Sequence, residues 1–109
     1  MPKVTKLIIH VLVRKCASTH KWVAQGLEHD IVAQADTLKL LERRFIATVL
    51  AYIHAYSHAD DPLKEIGKAP KQYWATFNKL QERARSPKIR PFPKKGKTHG
   101  EAVFLQEAA

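Results

Sequence analysis

The side chains able to do chemistry are few and widely spaced. His54 and His58 stand four apart, about one helical turn, with Asp60 and Asp61 just beyond. Two imidazoles at that spacing can share zinc, but a site also needs a third ligand and groups that orient the rings. No glutamate lies between them, so the metalloprotease pattern is absent. Partial histidine charge is favourable at a helix C-terminus without any metal, and that is the simpler reading. Cys16 has no partner cysteine. Lys15 beside it could lower its pKa a little, yet a thiol at a strand end is normally inert. His10, on the mixed face of a strand, reads as a satisfied or interfacial side chain rather than a base. A nuclease that aligns two metal ions needs several clustered acids. The first strand carries none, and Glu28 and Asp30 fall in a turn. The glycines at 26, 67, 96 and 100 are isolated, so there is no phosphate-cradling loop. The sequence thus predicts no catalytic residue, no metal and no cofactor, and a protein that is not an enzyme.

Charge is the stronger signal. The 109 residues carry 19 Lys and Arg against 10 Asp and Glu, a net charge of +9. Residues 1–61 hold 8 basic and 6 acidic side chains, and residues 62–100 hold 11 and 2. Glu101 and Glu107 follow. The whole excess therefore belongs to the second half, as expected of a surface that meets phosphate or an acidic partner. Arg83, Arg85, Lys88, Arg90, Lys94, Lys95 and Lys97 fall within fifteen positions. Such a run can act as an electrostatic arm for nucleic acid, because counterion release needs no precise geometry. It would read sequence poorly. The plain alternative is a solvated basic tail. No strongly amphipathic basic helix marks it for a membrane.

Composition narrows the class. An apolar share of 45% is too high for a wholly disordered chain, and one cysteine excludes a disulfide scaffold. No apolar run nears the ~18 residues of a spanning helix. The stretch 7–13 is broken by His10 and lacks a cleavage site. These features predict a small soluble cytoplasmic protein with one core.

The elements that must position these residues are legible in outline. Residues 4–15 alternate: Leu7, Ile9, Val11 and Val13 share one face, and Ile8, His10, Leu12 and Arg14 the other. Residues 17–20 turn the chain. Residues 21–27 and 31–35 are two further strands, and the short links argue for a three-stranded antiparallel meander. Asp36 or Thr37 caps a helix whose Leu38, Leu41, Phe45, Val49, Ile53 and Tyr56 recur at helical spacing. It should end near residues 57–60, ahead of Pro62. The outcome is an α+β unit over residues 1–60, with a long helix across the meander. The second sheet face, with Ile8, His10, Leu12 and Trp22, is left as a candidate partner or oligomer face. Residues 61–85 form a connector and a second helix, opened by Pro70 and striped with Tyr73, Trp74, Phe77 and Leu80. That stripe packs either on the first helix or on the open sheet face. Residues 86–109 read as a basic, proline-containing tail, extended or mobile through residue 100. A last strand falls at 102–105 or, instead, at 88–92, where Pro91 would confine it to an edge.

The segment from Trp22 to Leu38, WVAQGLEHDIVAQADTL, followed by an amphipathic helix, resembles the HicB-type antitoxin domain over about residues 4–56. Trp22 and Ala24 match the second strand of that pattern, and Asp36-Thr37 its helix start. Ala35 stands where the family usually has glycine, Leu27 to Asp30 replace a proline-rich turn, and Lys39 and Leu40 replace paired acids. The resemblance implies a partial RNase H-like fold with a fourth strand beside the first. It also implies a homo-oligomer, dimer or tetramer, that binds a small RNA-cleaving toxin. Family members often add a DNA-binding module. Residues 62–109 offer one convincing helix where a helix-turn-helix needs two, so operator binding is not expected.

Overall fold

The computed structural model describes residues 5–55, 63, 66–83, 86–93 and 98–107. Its elements run β1 (Thr5–Lys15), β2 (Trp22–Gly26), β3 (Val32–Ala35), α1 (Leu38–Ala55), α2 (Lys71–Glu82), β4 (Lys88–Pro91) and β5 (Thr98–Gln106). The five strands form one mixed sheet in the order β3-β2-β1-β5-β4. β1–β2, β2–β3 and β4–β5 are antiparallel, and β1–β5 is parallel. The α+β class and the β1–β2–β3 meander with a long helix are present. The meander is only part of a five-stranded mixed sheet, however, which corrects the three-stranded expectation.

The alternation in β1 explains the layers. Leu7, Ile9, Val11 and Val13 lie on the face that α1 covers, in one core with Ala24, Leu41, Phe45, Val49, Ile53 and Phe104. Leu12 is fully buried on the opposite face, with Leu27, Leu105, Ala69 and the α2 residues Phe77 and Leu80. Tyr73 and Trp74 pack at the edge of that second core. The aromatic stripe of α2 therefore packs on the sheet and not on α1.

The two alternative last strands both form, because they are partners. Ile89 registers with Val103 and Arg90 with Ala102. The low apolar content of residues 86–100 points to an extended or mobile tail; among its described residues, Lys88–Pro91 form β4, paired with β5, and residues 98–100 begin β5. Pro91 is tolerated since β4 is the edge strand. β5 can seat because of one residue. Gly100 registers with Leu7, and a Cβ there would overlap the Leu7 carbonyl. No side chain fits where the two backbones approach so closely.

Local chemistry sets the helix ends. The Leu40 N–H donates to the Thr37 side-chain oxygen at 3.2 Å, an N-cap bond that satisfies one free donor. The first turn of α1 contains no acid. The C-terminal part of the expected helix, beyond residue 55, lies outside the described residues. Pro70 stands at the N-cap of α2, one position ahead of the expected first turn. The connector is tied to the β2–β3 turn: Asp30 N–H donates to the Gly67 carbonyl and Ala69 N–H to that of Leu27.

Phe77 is the largest α2 side chain buried against the sheet. Phe77→Ala should lower stability by about 3 kcal/mol, through lost transfer energy and the cavity left. Urea unfolding checks this, and an unchanged midpoint would contradict the packing.

Candidate functional site

The expected partner face does not exist as one surface. Ile8 and His10 do share the α2 side of β1, but Leu12 is sealed beneath α2. Trp22 packs against the α1-side core instead, with the Lys15 ammonium 5.5 Å from its ring centroid. Strand parity is the reason. Trp22 registers with Lys15, an odd-numbered residue of β1, and so shares the face of Val13. What stays open on the α2 side is Ile8, 42% exposed, and Ile89, 50% exposed. Glu101 and Val103 of β5 register between them.

His10 is satisfied internally. Its Nδ1 lies 2.5 Å from Glu28 Oε2, and its backbone N–H donates to Glu28 Oε1 at 2.8 Å. Its ring meets Phe77 edge-on, 5.5 Å between centroids. Glu28 thus fastens the β2–β3 turn to the central strand. In the same turn, Gln25 Nε2 donates to Asp30 Oδ1 at 2.6 Å. Among the described residues no three His, Cys, Asp or Glu gather as metal ligands. His58, Asp60 and Asp61 lie outside the described residues.

The basic run resolves into pieces with different roles. Arg83 is the C-cap of α2. Lys88 and Arg90 belong to β4 and point to the α1 side, so they are no free arm. Arg85, Lys94, Lys95 and Lys97 lie outside the described residues. Lys88 Nζ reaches Glu42 Oε2 at 3.0 Å, and Arg90 Nε donates to Glu42 Oε1 at 2.9 Å. One carboxylate, its side chain 12% exposed, therefore clamps two cations of the edge strand onto α1. Charge-assisted bonds to both oxygens fix its rotamer.

These contacts define a groove lined by Lys39, Glu42, Arg43 and Ile46 of α1 and by Lys88 and Arg90 of β4. It shares Glu42 and Lys88 with a small cavity of about 150 Å³, walled by Val13, Leu41 and Phe104. Lys39 and Arg43 make no ion pair or hydrogen bond with any described side chain. Sequence reading missed this grouping, because the two halves are more than forty positions apart. The usable signal was the i, i+4 pair Lys39 and Arg43, together with the alternation of Lys88 and Arg90.

Cys16 closes β1 at the turn into β2. Its pKa is lowered to about 6, first by the Ser18 hydroxyl, then by the Thr19 hydroxyl and the backbone N–H groups of Thr19 and Ser18. The Cys16 Sγ to Ser18 Oγ distance is 3.3 Å. The turn is held by His20, whose φ of 59° is left-handed, and by the Cys16 N–H bond to the Lys21 carbonyl at 2.8 Å. The sequence expectation credited Lys15 with the lowering. The turn itself supplies it, while the Lys15 ammonium sits over Trp22.

Comparison with family models, with curated proteins and with solved structures gave no match. No helix among the described residues is long and apolar enough to cross a membrane.

Two outcomes follow from this geometry. Thiolate is the reactive form, so Cys16 alkylation by iodoacetamide should rise through about pH 6 and be level by neutrality. Ser18→Ala should move that inflection upward, and a wild-type inflection near the ordinary thiol value of ~8.5 would contradict the turn's role. Separately, Glu42→Ala should speed amide exchange in β4 and cost about 1 kcal/mol, the scale of half-exposed ion pairs. Unaltered β4 exchange would show that the clamp does not hold the edge.

Proposed function

We propose that this chain is a non-catalytic, HicB-like interaction protein: a homo-oligomer that binds a small RNA-cleaving toxin and thereby restrains it. The observation that carries the reading is the position of β5. After β1, β2, β3 and α1, the chain passes through α2 and the edge strand β4 before β5 lies parallel beside β1. A further strand beside the first is what the resemblance of residues 4–56 implies; here that strand is the fifth in chain order, and the residues that carry the resemblance lie outside it. The partial RNase H-like description of the sheet belongs to this same reading.

The distribution of reactive groups favours binding over turnover. His10 is committed to Glu28 and Phe77, and Glu42 to Lys88 and Arg90. Both of these clusters fasten one element to another. The apolar surface left beside α2, at Ile8 and Ile89, is the assembly face in this reading. Exposed β-branched side chains next to buried Val103 extend the core outward, which is how an interface begins.

Light scattering on the full chain after size exclusion tests the assembly. A dimer or tetramer is expected, falling to monomer in Ile8→Glu/Ile89→Glu with the far-UV spectrum unchanged. A monomer at every concentration reached would overturn it. Chromatography of source-cell extract over the immobilised chain tests the partner. The expected result is a small protein that cleaves RNA once released and is silent while bound; RNA cleavage undiminished by bound chain would overturn the antitoxin assignment.

A further inference from the structure

We propose that the groove between α1 and β4 binds the phosphodiester backbone of a single-stranded nucleic acid. Lys39 and Arg43 on the helix wall and Lys88 and Arg90 on the strand wall are its contacts.

The charges are arranged, not merely abundant. Four cations and one carboxylate line the groove, and that carboxylate, on the helix wall with Lys39 and Arg43, already binds both β4 cations. The helix-wall pair is exposed and makes no ion pair among the described residues, so it is free to take an anion from solution. Arg90 engages Glu42 through Nε. Its guanidinium carries further N–H donors suited to phosphate oxygens. Holding Lys88 and Arg90 by Glu42 removes much of the rotamer entropy that ligand binding would otherwise cost.

The spacing fits a strand. Lys39 and Arg43 are separated by about 6 Å of helix rise. Lys88 and Arg90 are separated by about 6.8 Å of strand. Both intervals match successive phosphates of an extended chain. One side chain, Glu42, reaches from the helix wall to both β4 cations, so the walls stand one ion pair apart, a separation suited to a single backbone. No aromatic side chain lines the groove, so no base is stacked and recognition is indifferent to sequence. This site is independent of the toxin-binding reading and stands or falls separately.

Fluorescence anisotropy of the full chain with labelled oligo(U) RNA and oligo(dT) tests it, over about 50 to 200 mM salt. Four neutralised phosphates predict a log–log salt slope near −2.8, from about −0.7 per contact. Lys39→Glu/Arg43→Glu should weaken binding at least tenfold and bring the slope down by about half. Lys39→Gln/Arg43→Gln should do so more mildly, and thermal melts check that both remain folded. Lys71→Glu/Lys79→Glu, the same charge change on α2, should bind as wild type. A duplex of equal length should bind at least tenfold more weakly. The proposal is overturned by no binding at the lowest salt, or by equal losses in the α1 and α2 variants. It is overturned equally by a duplex as tight as the single strand, or by binding only to phosphatidylserine vesicles.

Discussion

The parallel contact between β1 and β5 is the constraint on which the rest of the molecule depends. It runs from Thr5 opposite Thr98 to Val13 opposite Gln106, and it makes β1 a central strand. A central strand can bury both of its faces, and the alternation of β1 supplies apolar side chains to both. Gly100 permits this contact, because any side chain there would strike the Leu7 carbonyl. Once β5 is seated, β4 has a partner, and α1 gains Phe104 as a floor for Phe45, ring centroids 5.8 Å apart. The opposite face gains Leu105, against which α2 can settle beside Leu12 and Leu27.

The same contact gives the two sides of the sheet different surface chemistry. On the α1 side, β4 brings its alternate residues Lys88 and Arg90 within reach of Glu42, and the basic groove follows from that one carboxylate. On the α2 side the other parity, Ile89, stands beside Val103 with Ile8 one strand further. The edge itself is blunted by its shortness, its charge and Pro91, devices that discourage uncontrolled strand addition. The proposed assembly face and the proposed phosphate groove thus lie on opposite sides of the sheet.

Short-range periodicity made half of this legible in sequence. The β1 alternation, the two following strands, the Thr37 cap and the spacing of α1 are local patterns, and the structure bears them out closely. The second half failed where pairing was non-local. Residues 88–92 and 102–105 looked like competing candidates because each is weak alone, and strand segments of that length need a partner to be stable. Composition around residues 86–100 argues for a tail, since it cannot show that position 100 must be glycine to lie against Leu7. Trp22 was assigned to the wrong face for a related reason: its side is set by its register with Lys15, which no local pattern reveals. The groove was hidden likewise, its walls being brought together by β5. Cys16 illustrates the reverse case, a lowered thiol pKa that arises wholly from neighbours within three positions.

The most direct test of the central claim is amide hydrogen exchange on the intact chain, followed strand by strand. β1 and β5 should be the slowest-exchanging segments and should open together, in one cooperative unit with the α1-side core, while β3 and β4 exchange sooner as edges. Rapid exchange throughout β5 with β1 still protected would contradict the account. The parallel pair would then not be the element that organises the two faces.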